Sequence, residues 1–214
     1  MAKDTVQSPK RGKTIDLLRE KERAARRSLI VDAAERVFAA RSFGEVTMRH
    51  IAREAGVSPA LIYRHFPDQQ SLFVEAFLRG ADVIIGELGR IAAKAGANGA
   101  LEDAAERFVR YLCDNDQYFR MMTHFMLDGS LGPGLVERLN AAERALLDRF
   151  DELFGAAWKK RTTRLASHAL FAALNGVLIT FRNYPGRSPR EVRRHMRTLA
   201  RMLASALRDS ARKA

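Results

Sequence analysis

Three consecutive side chains, Tyr63, Arg64 and His65, supply a phenol, a guanidinium and an imidazole near the end of a short apolar-patterned segment. At about 100° per residue of an α-helix, Ile62 and Phe66 share one side of this segment and must pack inward. The polar groups are then left for the outward side. A guanidinium can read a guanine edge, and phenols and imidazoles can contact phosphate, so this side chemically suits a DNA groove.

Residues 47–66 have the pattern of two short helices joined by a tight turn. Thr47 caps the first helix, predicted over 47–55, and Gly56 ends it because glycine adopts a left-handed conformation with little strain. Ser58 caps the second helix, predicted over 59–66, and Pro59 occupies its first position, where no N–H is needed. Helix, glycine-containing turn and helix is the sequence form of a helix-turn-helix.

Further positions extend this motif in both directions: Ala33-Ala34, Phe38, Phe43, Thr47, Ile51-Ala52, Ala55-Gly56-Val57-Ser58, Tyr63 and His65-Phe66. In these residues the chain resembles the DNA-binding domain of the TetR/AcrR family of bacterial transcriptional regulators. An ordinary helical hairpin, the alternative interpretation, would not require glycine, a capping serine and an outward tyrosine at these spacings. The chain departs from the family pattern at Ser42, where glycine is usual, and at Gln69, where a phosphate-contacting lysine is usual.

The resemblance implies a role for each residue of the outward face. Tyr63 and His65 are expected to contact phosphate, and Arg64 is expected to read a guanine edge. Pro59 and Ala60 would let the backbone approach the DNA closely. The full set of predicted DNA-contacting residues is Thr47, Arg49, Ser58, Pro59, Ala60, Leu61, Tyr63, Arg64, His65 and Gln69.

Composition predicts an all-α protein with a basic N-terminal end. The 214 residues carry a formal charge of +12, and 47% of them are hydrophobic, which excludes a disordered chain. Residues 1–70 have 14 Lys and Arg against 9 Asp and Glu, residues 71–180 have 13 against 14, and residues 181–214 have 10 against 2.

We find no alternating stretch that predicts a sheet, no secretory signal and no apolar run approaching a membrane span of about 20 residues. The simplest location is the cytoplasm.

We expect a basic, flexible arm over residues 1–25, a three-helix helix-turn-helix DNA-binding domain over 26–68, and a larger helical ligand-binding and dimerisation domain over 69–214. The arm could lie along phosphates or enter a minor groove, and a solvated tail is an equally good interpretation. An apolar stripe from Leu29 to Phe38 predicts a core-facing helix before the motif. The later helices are predicted over 69–94, 100–113, 116–128, 134–158, 162–182 and 189–210.

The neutral middle of the chain concentrates methionine and aromatic side chains, which make adaptable cavity walls. An ordinary helical core is the commoner explanation for such residues. The family resemblance, however, implies a small-molecule pocket within the C-terminal helices. The predicted ligand-binding residues are Phe108, Tyr111, Phe119, Met122, Phe125, Trp158, Phe171 and Asn175.

Asn175-Gly176 interrupts an otherwise apolar helix, and glycine there costs about 1 kcal/mol relative to alanine. The family resemblance implies dimerisation through the last two helices as a four-helix bundle, so Gly176 is expected at a dimer axis. The last helix also has an apolar face and an opposite stripe of arginines, interpreted either as a solvated face or as a docking surface for an acidic partner or an anionic head group. The predicted dimer residues are Ala172, Gly176, Ile179, Leu199, Met202 and Leu203.

Three classes of function differ in how well they fit the sequence. The resemblance implies a homodimeric, ligand-responsive regulator, most often a repressor, that leaves a near-palindromic operator in double-stranded DNA when a small apolar or amphipathic molecule binds. An enzyme is disfavoured, because the five histidines show no metal-ligand spacing and the lone Cys113 has no evident catalytic partner. Neither a metal nor a cofactor is expected. A sequence-tolerant nucleoid or architectural DNA-binding protein would fit the charge, but would leave the cavity-prone middle without a role.

Overall fold

The computed structural model describes residues 9–94, 99–127, 131–155 and 160–211, and within those ranges it contains helices but no strand. The predicted all-α class is confirmed. A short 3-10 helix, Phe43–Glu45, precedes the helix-turn-helix. The α-helices are α1 (Pro9–Ala40), α2 (Met48–Ala55), α3 (Pro59–Tyr63), α4 (Gln69–Lys94), α5 (Ala100–Asp114), α6 (Asp116–Leu127), α7 (Pro133–Phe154), α8 (Lys160–Phe181) and α9 (Pro189–Ala211).

The first of two compact units ends at Ala76. The apolar stripe of α1 is buried from Ile30 to Phe38, as its helical period requires. Helix α1 packs against α2, and an ion pair of 2.6 Å between Arg36 and Glu54 joins the two helices at the surface. The stripe therefore holds the two-helix motif through its apolar side and leaves the opposite side of the motif uncovered.

Aromatic contacts fix the loop before the motif and the helix after it. The ring of Phe73 lies 4.5 Å from those of both Phe38 and Phe43. The guanidinium of Arg27 lies over the ring of Phe66 at 4.7 Å and also pairs with Glu75. This hydrogen-bonded pair raises the pKa of Arg27 although partial burial opposes the shift. One α1 side chain thus holds both the end of the motif and the start of α4.

Helix α1 begins at Pro9, so residues 9–25 are helical where we expected a flexible arm. The residues there are mostly good helix formers, and an Arg26–Glu22 pair of 2.5 Å adds support between adjacent turns. Side chains from Lys13 to Arg26 are exposed, so no core contact is needed to explain the helix. The proposed domain boundary after residue 68 stays a prediction, whereas the compact units divide between Ala76 and Phe77.

Two helices end three or more residues before their predicted ends. Helix α3 ends at Tyr63 rather than at residue 66, although the amide of Phe66 still donates to the carbonyl of Ile62 at 2.9 Å. A helical hydrogen bond therefore continues for one turn beyond the end of the regular helix. Helix α7 ends at Phe154 rather than at residue 158, because Gly155 adopts a φ of 77° that a helix cannot continue.

The second compact unit begins at Phe77, and α5 makes contacts with α6, α7, α8 and α9. The buried ring of Phe108 on α5 lies edge-on to Phe150 of α7 at 6.2 Å and to Phe171 of α8 at 6.0 Å. Such edge-to-face pairs add specificity to the burial of apolar area. Helix α5 is therefore the common packing partner of this unit.

The arginine stripe of α9 is only partly solvated, because part of it faces acidic residues of α5. The pairs of this α5–α9 seam are Arg197–Glu106, Arg201–Asp103, Arg201–Glu106 and Arg208–Glu102. Burial alone would raise the pKa of Glu106, and the hydrogen bonds from Arg197 and Arg201 outweigh it and lower that pKa. Neither interpretation of the stripe made from the sequence anticipated this pairing, since the acids lie in a distant helix.

Helix α8 contains a segment, Thr162–Phe181, that is long and apolar enough by length and composition to cross a membrane. The expectation that no run approached this length is corrected by α8. In this structure 39% of the segment is buried, and Leu170, Leu174 and Leu178 point into a core shared with α7 and α9. A core helix of this kind meets the same criteria of length and composition.

Candidate nucleic-acid interface and apolar cavity

Local capping determines the shape of the helix-turn-helix. The Thr47 hydroxyl accepts a hydrogen bond from the His50 amide at 3.3 Å, and the Ser58 hydroxyl accepts one from the Leu61 amide at 3.3 Å. Gly56 has the left-handed φ of 66° that the turn requires. Each of these three roles was predicted from residue type and spacing. The turn is thus specified by residues that are local in sequence.

Most of the predicted DNA-contacting side chains lie at the surface. Ile62 and Phe66 are buried as predicted, so α3 presents its other side outward. Tyr63 is an aromatic residue with 54% of its surface exposed. The exposed members of the predicted set are Thr47, Arg49, Ser58, Pro59, Ala60, Tyr63 and Arg64, and the half-buried members are Leu61, His65 and Gln69. All ten residues therefore lie in the first compact unit, and their contacts with DNA stay a prediction.

The two departures from the family pattern have structural roles here. The side-chain amide of Gln69 donates to the carbonyl of Phe43 at 3.1 Å, which ties the start of α4 to the 3-10 helix. The Ser42 amide donates to the Glu45 carboxylate at 3.2 Å, and Ser42 has a φ of −70° that needs no glycine. Gln69 thus has an internal partner where the usual lysine would face phosphate.

A groove lies between α1 and α3 beside the outward face. It encloses about 400 Å³ and is lined by Arg19, Glu22, Arg23, Arg26, Leu61, Arg64 and His65. We call this the α1–α3 basic groove. Arg23 and Arg64 form no ion pair with any residue in the described ranges. Burial lowers the pKa of His65, and the nearby guanidinium groups, Arg23 foremost, lower it further. The positive charge of Arg23 and Arg64 is therefore not neutralised within the groove.

The second unit contains an apolar cavity of about 350 Å³ bounded by helices α4 to α8. Five of the predicted ligand-binding residues line it: Phe108, Tyr111, Met122, Phe125 and Phe171. Its polar groups include Asn140 and Glu143 of α7. A cavity with mainly apolar walls and a few polar groups can bury a small apolar molecule and orient one polar end.

Gly80 permits the close packing of one cavity wall. The Tyr111 hydroxyl donates to the carbonyl of Gly80 at 2.8 Å, and the Tyr111 ring stacks on that of Tyr118 at 5.9 Å. A Cβ atom at Gly80 would lie 2.2 Å from the Tyr118 ring. Two tyrosines are thus held against α4 by a residue without a side chain.

Two predicted ligand-binding residues, Phe119 and Asn175, do not line the described cavity. Phe119 instead carries the guanidinium of Arg182 over its ring at 4.3 Å. Asn175 is buried outside the lining, where its amide donates to the Phe171 carbonyl at 2.9 Å and its Oδ1 has no partner among the described residues. Trp158 lies outside the described residues. Burial alone did not distinguish core residues from cavity walls.

Sequence reasoning also missed much of the cavity lining. The walls include α4 and α7 residues for which no site was predicted. The helical period of apolar residues along α4 is the sequence signal from which Phe77 and Ile84 could have been predicted. No sequence pattern near Asn140 and Glu143 of α7 indicates that they line a cavity. The missed lining residues include Phe77, Gly80, Ile84, Ile85, Tyr118, Leu139, Asn140 and Glu143.

The predicted dimer residues lie on α8 and α9 in varied surroundings. Ala172 and Gly176 are exposed, as are Ile179 and Met202, at 60% and 61%. Leu199 and Leu203 are half-buried. A Cβ atom at Gly176 would meet nothing within 4 Å. Packing within the chain therefore does not explain this glycine.

A family model identifies the first unit. Residues 30–76 match the model described as bacterial regulatory proteins of the tetR family. This range contains the buried α1 stripe, the capped turn and the start of α4. This segment of the chain is of the TetR type. The family match ends at Ala76, which is also where the first compact unit ends.

Solved structures extend the TetR-family comparison to the second unit as a fold. A TetR-family transcriptional regulator from Mesorhizobium loti is 22% identical, with a TM-score of 0.65 over 86% of this chain and 97% of that chain. FadR from Bacillus subtilis, solved in complex with stearoyl-CoA, is 18% identical, with a TM-score of 0.69 over 83% and 97%. A transcriptional regulator from Saccharomonospora viridis, in complex with choline, is 18% identical, with a TM-score of 0.65 over 82% and 95%. These likenesses show the shared fold.

Proposed function

We propose that this chain is a ligand-responsive transcriptional repressor that acts in the cytoplasm, at the nucleoid, as a homodimer on a near-palindromic operator. One observation carries the proposal. A single chain joins a TetR-family helix-turn-helix, with an outward tyrosine and arginine, to a second unit that encloses an apolar cavity of about 350 Å³. The first part suits DNA reading and the second suits an effector.

The recognition surface is divided between positioning and reading. Tyr63 and His65 contact phosphate and set the register of the helix on DNA, whereas Arg64 reads a guanine edge and supplies about 1–3 kcal/mol of discrimination. Two such surfaces in a dimer lie in successive major grooves. The exposed apolar positions of α8 and α9 support a four-helix dimer contact through Gly176 and its neighbours.

The effector is an apolar or amphipathic molecule bound in the cavity. Mostly apolar walls support an apolar body, and the Glu143 carboxylate offers a polar or cationic end a partner. Structural neighbours hold stearoyl-CoA and choline, which gives two chemical classes to try first. Binding favours a dimer whose half-site spacing no longer fits the operator, so DNA is released by a population shift.

Fluorescence anisotropy tests the proposal directly. The purified protein is titrated into a duplex from just upstream of its own gene and into a scrambled duplex, at physiological salt. We expect binding to the native duplex to be several hundredfold tighter or more. Addition of stearoyl-CoA or choline then tests release. Tyr63→Ala should weaken binding to all sequences, whereas Arg64→Ala should relax preference at one position per half-site.

The runner-up function is an architectural DNA-binding protein, and the family match does not favour it. Equal, steeply salt-dependent binding to both duplexes would support it, or would place the operator elsewhere on the genome. Titrating a pool of random duplexes separates these two explanations, because a specific regulator enriches one sequence and an architectural protein enriches none.

A further inference from the structure

The ion pairs of the α5–α9 seam stop part-way along α9. From Arg197 onward the arginines face the acids of α5, but toward the start of α9 the acidic row of α5 ends. Beyond Glu106 the next α5 position on that side is Arg110, followed by Cys113 and Asp114. The arginine stripe therefore continues beyond its internal partners.

Three arginines near the start of α9 take no part in the ion pairs of the α5–α9 seam. Arg190, Arg193 and Arg194 are exposed and form no ion pair with any residue in the described ranges. They repeat at the helical spacing that places side chains on one face. Glu191, the nearest acid in sequence, accepts hydrogen bonds from the Ser188 amide and hydroxyl at the start of α9.

These arginines line a groove with α5. It encloses about 530 Å³ and is bounded by Arg110, Cys113, Asp114, Arg190, Arg193, Arg194 and Arg197. Asp114 is the only carboxylate in the lining, and it lies 3.5 Å from Arg110 of its own helix. Burial raises the pKa of the Cys113 thiol, so the thiol is uncharged at neutral pH and adds no negative charge. The groove shares no lining residue with the apolar cavity.

We propose that this α5–α9 arginine groove binds a small phosphate-bearing anion, with a pyrophosphate or polyphosphate group as the recognised chemistry. Guanidinium groups present planar pairs of N–H donors that match phosphate oxygens. Two helices supply these donors from both sides of the groove, which suits a group with several charged oxygens rather than a single carboxylate. The site is independent of both the DNA surface and the effector cavity.

Isothermal titration calorimetry with sodium pyrophosphate tests the assignment on the full chain at an ionic strength of about 0.15 M. The test variant is Arg193→Gln with Arg194→Gln, since both side chains are exposed and glutamine keeps the helix propensity. We expect this variant to weaken pyrophosphate binding about tenfold or more, because each substitution removes charge-assisted hydrogen bonds from a guanidinium to phosphate oxygens. The control variant, Arg90→Gln with Lys94→Gln, removes two exposed charges from α4 of the same unit and should leave binding unchanged.

A second variant keeps the arginines of α9 and tests whether an added acid on α5 prevents them from binding pyrophosphate. Arg110→Glu continues the acidic row of α5 and supplies an internal partner, so it should also abolish the binding component lost in the double variant. Any pyrophosphate bound at the first compact unit would persist in both variants. The result is therefore the difference in pyrophosphate binding between each variant and the native protein. Thermal melts confirm that each variant is folded.

Three outcomes would overturn the proposal. Equal weakening in the α9 and α4 variants would show a general effect of net charge. Unchanged binding in Arg110→Glu would show that the groove is not the site. A loss of affinity for a scrambled duplex as large as the loss for pyrophosphate would make the groove a nucleic-acid surface. None of these results depends on whether an operator or an effector is found.

Discussion

His65 links the charge of the proposed DNA-binding surface to pH. Burial and the neighbouring guanidinium groups of Arg23 and Arg64 lower its pKa, so the imidazole is neutral in the free protein at neutral pH. A DNA phosphate would favour the protonated form, and binding would then take up a proton. We therefore expect DNA affinity to rise as the pH falls from about 8 to about 6.

The measurement is anisotropy across that pH range for the native protein and for His65→Gln. The variant should show a flatter dependence, whereas parallel curves would assign the effect to another group. The same lowered pKa predicts the opposite trend for folding. The unfolded chain binds the proton more readily, so this residue's contribution to stability is lost as the pH falls through its unfolded value of about 6.5.

Gly80 determines the position of the Tyr118 ring, and a matched glycine on the same helix provides a control. Gly80→Ala would place a methyl group against that ring, and we expect a loss of about 1–3 kcal/mol from overpacking. Gly86→Ala meets nothing within 4 Å and should instead stabilise the exposed helix by about 1 kcal/mol. Urea unfolding measures both changes, and shifts of the same sign would contradict the assigned contact.

At the scale of helices, α1 is a candidate extension of the DNA surface. Its exposed arginines share the α1–α3 basic groove with Arg64, the residue that follows α3. We predict that Arg23→Gln weakens binding to operator and scrambled duplexes alike, and lowers the slope of log affinity against log salt by about 0.9 for one lost phosphate contact. Lys21→Gln, on the opposite side of α1 and outside the groove, is the control. Equal slopes for the two variants would exclude this role for α1.

Helix ends and helix pairings differed in how well the sequence predicted them. Helix α4 was predicted over 69–94 and is observed as Gln69–Lys94. Its signals are local, because the Asp68 carboxylate accepts a hydrogen bond from the Ser71 amide and the apolar residues follow a helical period. The start of α1 was missed because residues 9–25 contain few apolar residues, although their helix propensity is high. The α5–α9 seam was missed altogether, since Arg201 and Asp103 meet only after the chain has folded.

For the molecule as a whole, dimerisation is the property that the exposed residues of α8 and α9 make testable. Ile179 and Met202 are large apolar side chains left about three-fifths exposed, at 60% and 61%. We predict that Ile179→Glu with Met202→Glu converts a dimer to a monomer and lowers operator affinity about a hundredfold, because the second half-site is then bound independently.

Light scattering after size-exclusion chromatography gives the mass directly. Val83→Glu places the same charge on another exposed apolar residue, of α4, and should leave the mass unchanged. A double variant that stays dimeric would move the contact to another surface, and a monomeric native protein would remove the proposed geometry of two half-sites.

The sequence by itself determined the all-α class, the capped helix-turn-helix and the outward direction of Tyr63 and Arg64. Each follows from interactions within a few residues, and those interactions have recognisable residue types and periods. The tertiary structure decided which aromatic residues line the cavity and which only fill the core. Phe119 and Phe125 differ in this respect although both stand in the same apolar helix. It also decided which arginines of α9 are neutralised, because that depends on where the acids of another helix end.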